Sequence, residues 1–210
     1  MNDKQDTWRQ CPTLHGEHVA LRPLAQNDAS SILRASSDGE LWRVIYTGAP
    51  GPDTIGLWMA TALAQANDGY SLPLVATRPD GEVIGSSRFR RMNRPHRRLE
   101  IGTTFFARSV QRTGVNTETK LLMLSHAFER LDCECVQLRT DRFNRASRTA
   151  IERLGAKMDG VLRNHWIMAD GRVRDTAVYS ILRSEWPGVK QNIQFLLARG
   201  AGDVEAHKAP

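Results

Sequence analysis

Gln111-Arg112-Thr113-Gly114-Val115-Asn116 lies between the strand-like run Arg97–Phe106 and a run from Thr117 whose apolar residues recur at Leu121, Leu124, Phe128 and Leu131. Spacings of three and four put those side chains on one face of a helix. The hexapeptide is therefore a strand-to-helix turn. A helix start leaves backbone N–H groups without acceptors and carries partial positive charge, and a diphosphate placed there meets both deficits. Gly114 admits close backbone approach, and Arg112 can add charge-assisted hydrogen bonds. By itself the hexapeptide is equally what an ordinary helix-initiating loop with one glycine looks like. No Gly-x-Gly-x-x-Gly and no Gly-Lys-Ser/Thr loop occurs, which disfavours dinucleotides and nucleoside triphosphates.

Working outward, Ser71–Thr77, Glu82–Met92 and Arg97–Phe106 follow one another as strands. Pro79-Asp80-Gly81 and Asn93-Arg94-Pro95-His96 turn them into an antiparallel meander. Before them, His18–Leu24 alternates as a first strand. Asn27 or Asp28 can cap a helix carrying Ile32 and Leu33. Gly48–Pro52 is a loop, and Asp53 or Thr54 caps a second helix reaching about Asn67. After the hexapeptide come a strand over Cys135–Thr140, a helix from about Asn144 to Gly155, strands over Met158–Met168 and Arg172–Leu182, and a short closing helix over Trp186–Ala198. The order β-α-α-β-β-β-α-β-α-β-β predicts an α/β chain whose mixed sheet is covered by helices on both faces. Where parallel neighbours in such a sheet part, ligands tend to bind. One domain is expected over residues 14–186, with flexible termini at 1–13 and 200–210.

The 210 residues suffice for one core-bearing domain, and 40% hydrophobic with 25% charged residues is ordinary globular composition. No run is long and apolar enough to cross a membrane, and the start carries no apolar export core, so a cytoplasmic protein is expected. Three cysteines form no disulfide framework, and Cys133 and Cys135 lack the companions of a metal site, so no metal is expected. A net charge of +6 suits an anionic partner without choosing one. Arg88, Arg90, Arg91, Arg94, Arg97 and Arg98 crowd one stretch, which reads as a solvated hairpin face.

The turn, the element order, and Asn144-x-x-Ser147 ahead of Ala150-Ile151-Glu152-Arg153-Leu154-Gly155-Ala156 together resemble the GNAT acetyltransferase superfamily. Within it the chain looks like the ribosomal-protein N-terminal acetyltransferase (RimJ/RimL-like) branch, over about His15 to Trp186. The family's turn is Gln/Arg-x-x-Gly-x-Gly/Ala; Asn116 departs from it at the last position, though asparagine tolerates unusual backbone angles. The resemblance implies acetyl-CoA as co-substrate, a primary amine as acceptor (a peptide N-terminus or a small molecule) and direct attack of the amine on the thioester. Gln111, Arg112, Thr113, Gly114, Val115, Asn116 and Thr117 would bind coenzyme A. The main chain of Thr104, Phe105 and Phe106 would lie beside its pantetheine arm, and Asn144 and Ser147 would face it.

An ammonium has no lone pair, and free amines titrate near ~8 (α-amino) or ~10.4 (lysine), so the reaction needs a base. Glu100, mid-strand in Leu99-Glu100-Ile101-Gly102, is the candidate; the alternative is a surface carboxylate paired with Arg98 or Arg90. Some family members use a glutamate on the next strand, but that position is Arg139 here. The departing thiolate needs an acid. Many relatives supply a tyrosine seven residues beyond the asparagine, where this chain has Ile151. Ser147, one turn after Asn144, is the candidate, with helix capping as its alternative role. His165-Trp166 either line the acceptor pocket or pack in the core. Trp42, Tyr46 and Trp58 flank the first helices, where family members recognise acceptors; His126 reads as structural. A CoA-binding protein without catalysis and a basic RNA- or ribosome-binding module are the other readings. A nucleic-acid partner is not expected, since only 7% of residues are aromatic and no recognition element is evident. A homodimer is possible.

Overall fold

The turn at Pro79–Gly81 closes as its residues require: Gly81 has φ +91, its N–H donates to Arg78 O, and Arg78 N donates to Glu82 O at 2.8 Å. It joins β3 (Ser71–Thr77) to β4 (Val83–Asn93), and β5 (Arg98–Phe106) adds to β4, each pair antiparallel. These are features of a computed structural model in which residues 7–206 are described. The other strands are β1 (Leu14–His15), β2 (Ala20–Pro23), β6 (Cys135–Asp141), β7 (Lys157–Ile167) and β8 (Val173–Leu182). The sheet runs β1-β2-β3-β4-β5-β6-β8-β7.

Helices α1 (Ala29–Ser37) and α2 (Ile55–Asn67) cover one face, α3 (Gly114–Ser125) and α5 (Trp186–Ala206) the other, and α4 (Arg145–Leu154) connects β6 to β7. Strand alternation separates the two cores. Leu74, Phe89, Leu99, Ile101, Leu138 and Tyr179 pack with Met123, Leu124 and Ile193 under α3 and α5. Val75, Val83 and Phe105 pack with Ile32, Ala35, Met59 and Ala62 under α1 and α2.

Several boundaries differ from the sequence reading. The first strand is shorter than His18–Leu24 and pairs with an unexpected two-residue partner, Leu14↔Leu21 and His15↔Ala20. Residues 7–13 are not all loose, because the Trp8 indole is buried in the larger core; residues 1–6 lie outside the described part of the chain. The closing helix extends past Ala198 to Ala206, carried by Val189, Ile193 and Leu197, whose spacing of four keeps them against that core. The rest of the expected tail, 207–210, is not described. α3 starts at Gly114 rather than Thr117, with Thr113 as its N-cap. Past Ser125 it widens into a π turn over His126–Arg130, closed by Leu131 N donating to His126 O.

Among the described residues, only β5 and β6 are parallel neighbours. They pair from Arg98↔Cys135 to Ile101↔Leu138 and then part. β5 continues beside β4 to Gly85↔Phe106, and β6 continues beside β8 to Asp141↔Thr176. A bulge lies at the parting: Arg88 opposes Gly102 and Ser86 opposes Phe105, so Thr103 and Thr104 share one partner position, with Thr103 at φ +50. Such an extra residue bends its strand and raises its twist, which carries β5 away from β6.

The N-terminal hairpin is fastened to α3 by one carboxylate. Glu118 accepts the backbone N–H groups of Glu17 at 2.8 Å, His18 at 2.7 Å and Val19 at 2.9 Å. Gly16 is required there, since a Cβ would overlap that carboxylate. Glu118→Ala is expected to lower the unfolding free energy by roughly 2–4 kcal/mol, because three N–H groups lose their acceptor. Urea denaturation checks this against Glu82→Ala, which breaks only an exposed pair with Arg78; equal midpoint shifts would contradict it.

Candidate active site

The helices that follow the two parting strands, α3 and α4, both start at the open end of the gap, and each start is built by local side-chain bonds. Ahead of α3, Arg108 N and Ser109 N donate to Asp38 O and Asp38 Oδ2, each at 3.0 Å. Gln111 Nε2 donates to Phe106 O at 2.9 Å. Gln111 therefore holds the turn, and its amide is directed inward. Thr113 Oγ1 donates to Val110 O and accepts Val115 N. The N–H groups of Arg112, Thr113 and Gly114 meet no acceptor among the described residues. Arg112 sits exposed at φ +63. Gly114 lies against a residue the sequence did not connect with it: a Cβ there would come 2.8 Å from the exposed His18 ring, which would have to move. His18 thus stands over the turn, placed by the Glu118 clasp. Thr117 is buried, its Oγ1 accepting from Arg153 Nη2 of α4 at 2.9 Å, so that hydroxyl joins the two helices.

Ahead of α4, Asn144 is the N-cap, with Oδ1 accepting Ser147 N at 3.0 Å. Its amide nitrogen and the half-buried Ser147 hydroxyl make no hydrogen bond among the described residues. Between the helix starts lies the edge of Gly102–Phe106, which has no strand partner on the β6 side. Phe105 and Phe106 are buried in the two cores, Phe105 with its edge toward Trp58 at 6.1 Å, which leaves their main chain for any ligand in the gap. Thr104 Oγ1 accepts from Lys120 Nζ at 2.9 Å and lies 2.7 Å from Ser87 Oγ. Nothing in the sequence marked Lys120. Burial pushes its ammonium down to about 8.

Glu100 sits where the strands begin to part, on the face opposite Leu99 and Ile101. It is not a surface carboxylate, being only 3% exposed. Arg90 Nη1 lies 3.6 Å from Oε1, while Arg91 Nε and Arg139 Nε lie 3.2 and 3.3 Å from Oε2. A bulge on β4, with Arg91 at φ +49, aims Arg91 there. Oε2 nonetheless makes no aligned hydrogen bond. The arginine cluster is therefore not simply a solvated hairpin face. Arg88 is buried, its guanidinium 4.4 Å from the centre of the Trp58 ring, while Arg90 and Arg91 turn in toward Glu100. Only outer members such as Arg97, paired with Asp132 and Glu134, fit the surface reading. His165 bonds Thr176 Oγ1 at 3.0 Å, whereas Trp166 is half exposed and contributes nothing to the core.

A parallel pair that opens beyond a bulge, with a phosphate-ready turn on one side and an asparagine-capped helix on the other, defines a class of acyl-transfer proteins. A family profile described as Acetyltransferase (GNAT) domain matches residues 18–157. The chain belongs to the GNAT acetyltransferase family. It is 28% identical over 177 residues to YoaA, an uncharacterised N-acetyltransferase of Bacillus subtilis (strain 168), covering 82% of this chain and 97% of that one. A GCN5-related N-acetyltransferase from Brucella melitensis superposes with a TM-score of 0.78 at 26% identity, over 90% of this chain and 86% of that one. Mycobacterium smegmatis RimJ, solved in complex with CoA-disulfide, has the same fold, with a TM-score of 0.76 at 22% identity over 90% and 96% of the two chains.

Lys120 makes a pH prediction. The unfolded chain keeps its proton up to about 10.5, whereas the folded chain releases it at about 8. Between those values the unfolded state binds more protons, so stability rises with pH, by about 3 kcal/mol across the window. Lys120→Met is expected to be more stable than wild type at pH 7 and to lose this rise. Urea denaturation at pH 7 and pH 10 measures both, and parallel pH dependence in the two proteins would rule the effect out.

Proposed function

We propose that this chain is an N-acetyltransferase that moves the acetyl group of acetyl-CoA to a primary amine, either a protein N-terminus or a small molecule, by direct attack. The observation that carries the reading is the opening between β5 and β6, with two helix starts at the same end of it. The residues present fit coenzyme A: free N–H groups at Arg112–Gly114 suit its diphosphate, and the unpartnered edge of Gly102–Phe106 suits an extended amide-bearing arm. Asn116 leaves this cradle intact, because main-chain N–H groups supply it.

Acetyl-CoA supplies a thioester, the electrophile of the reaction. The turn anchors its phosphates through Arg112, Thr113, Gly114, Val115 and Asn116, with Arg112 adding charge and Gln111 and Thr117 fixing the turn from behind. Main-chain N–H groups of Thr104–Phe106 polarise the carbonyl, as an oxyanion site requires. The Asn144 amide nitrogen donates to the pantetheine arm. Glu100 Oε1, which faces Gly102, accepts from the acceptor ammonium, directly or through one water, and takes its proton. Ser147, whose hydroxyl has no partner among the described residues, donates a proton to the leaving sulfur directly or through a water. An acceptor at a ribosomal-protein N-terminus, as in the RimJ/RimL-like branch, is one option within this reading.

Release of free thiol from acetyl-CoA across a panel of amines, amino acids and peptide N-termini tests the proposal. Coenzyme A should also raise the melting temperature. Stabilisation by CoA without thiol release would replace the enzyme reading by that of a non-catalytic CoA-binding protein. Glu100→Gln is expected to lower turnover at neutral pH at least tenfold; near-unchanged turnover would remove Glu100 from the mechanism. Ser147→Ala is expected to lower the rate while leaving thermal stabilisation by CoA in place, and a wild-type rate would show that solvent protonates the thiolate unaided.

A further inference from the structure

On the sheet face that carries Glu100, between α2 and the β7–β8 hairpin, guanidinium groups outnumber carboxylates. Arg88 and Arg90 come from β4, Arg139 from β6, and Arg172 and Arg174 from the start of β8, with Arg91 supplied by the β4 bulge. Two buried carboxylates answer them. Glu100 pairs with Arg90, Arg91 and Arg139, and Asp141, fully buried, pairs with Arg172 at 2.8 Å and Arg174 at 3.8 Å. Arg88 has no ion pair or hydrogen bond among the described residues, only the Trp58 ring. All six Nε atoms are buried without an aligned hydrogen bond among the described residues, although those of Arg91, Arg139 and Arg174 lie within ion-pair distance of Glu100 or Asp141.

Buried cations in excess of their anions cost free energy unless something answers them. The groups also feel one another. Burial and the charge of Arg90 push Arg88 down to about 10. Burial, and then the guanidinium groups of Arg139, Arg91 and Arg174, lower the neighbouring His165. The side chains of Arg90, Arg139 and Arg174 stay 26%, 17% and 19% exposed, so a small solute can reach them. The Ile45 carbonyl accepts from Arg172 Nη2 at 3.2 Å, which brings the loop between α1 and α2 to the rim of this face.

We infer that the acceptor is a primary amine that carries its own anionic group, a carboxylate or a phosphate, which docks on Arg90, Arg139 and Arg174 while the ammonium meets Glu100 Oε1, the oxygen that faces Gly102. Guanidinium groups with free donors match the planar, multidentate geometry of both anions. The site has one carboxylate for the ammonium and, around it, more guanidinium groups than carboxylates to answer an anion, which is the pattern of a zwitterionic amine. A polyamine would place further positive charge among the arginines and is disfavoured. The inference rests on the acyl-transfer reading for the position of the amine, and on the arginine cluster for the anion.

Matched acceptors test it: β-alanine against propylamine, O-phosphoethanolamine against ethanolamine, and a peptide with an acidic N-terminal segment against its neutral counterpart. The anionic member of at least one pair should show kcat/KM at least tenfold higher, and the pair identifies which anion is used. In Arg174→Gln and Arg139→Lys that ratio should fall toward one, chiefly through KM. A preference for neutral or cationic amines would overturn the inference while leaving acetyl transfer standing. If no amine turns over, calorimetric binding of inorganic phosphate with CoA saturating reads the cluster alone. Binding weakened at least fivefold in Arg174→Gln supports the inference, and equal or absent binding in wild type and variant overturns it. Circular dichroism of each variant establishes that it is folded.

Discussion

The departure of β5 from β6 is the constraint from which the rest of the site follows. Four residue pairs hold the strands parallel, and one extra residue at Thr103 ends the pairing. Beyond it each strand keeps its other neighbour, so the sheet remains continuous on either side while a gap opens within it. A gap of this kind leaves main-chain polar groups facing outward, and groups of that sort need partners. Because β5 and β6 run in the same direction, the helices that follow them begin at the same end, and both starts face the gap.

The same bulge sorts the side chains. Ahead of it Leu99 and Ile101 enter the core under α3; after it Phe106 does so and Phe105 enters the core under α1 and α2. Glu100 lies just before the switch, on the face shared with the arginines. The charged face and the unpartnered edge of Gly102–Phe106 therefore meet around Gly102. Without a side chain of its own, Gly102 leaves room for the Glu100 carboxylate, which a Cβ there would approach to 2.9 Å.

Much of the architecture was legible in the sequence because it is written in periodicity and turn chemistry. The Ser71–Thr77 strand and the Asn144 and Gly155 ends of α4 lie where the pattern puts them. Periodicity failed where a contact depends on a distant partner. Trp8 is one apolar residue in a polar stretch, and nothing local shows that it reaches the core. The candidate site was legible as residue types at positions, but not as partnerships. Glu100 and Arg139 lie 39 positions apart in number and meet only because β5 and β6 are neighbours. Lys120 and His18 carried no signal, since one sits within an amphipathic pattern and the other gains its place through Glu118. The arginines read as surface because charge on a hairpin usually is; Arg88 and Arg90 alternate onto the Glu100 face, and a bulge on β4, invisible to a period-two pattern, turns Arg91 the same way.

The Glu118 clasp also bears on the order of assembly. Its three hydrogen bonds close loops of about a hundred residues, contacts that form only after the intervening chain has been ordered. The N–H groups of Glu17, His18 and Val19 meet this acceptor only once α3 has formed and docked. The turn that holds them is thus among the last parts of the described fold to be fixed. His18 reaches its place over Gly114 only at that stage, so the turn ahead of α3 is completed by a residue from a distant part of the chain.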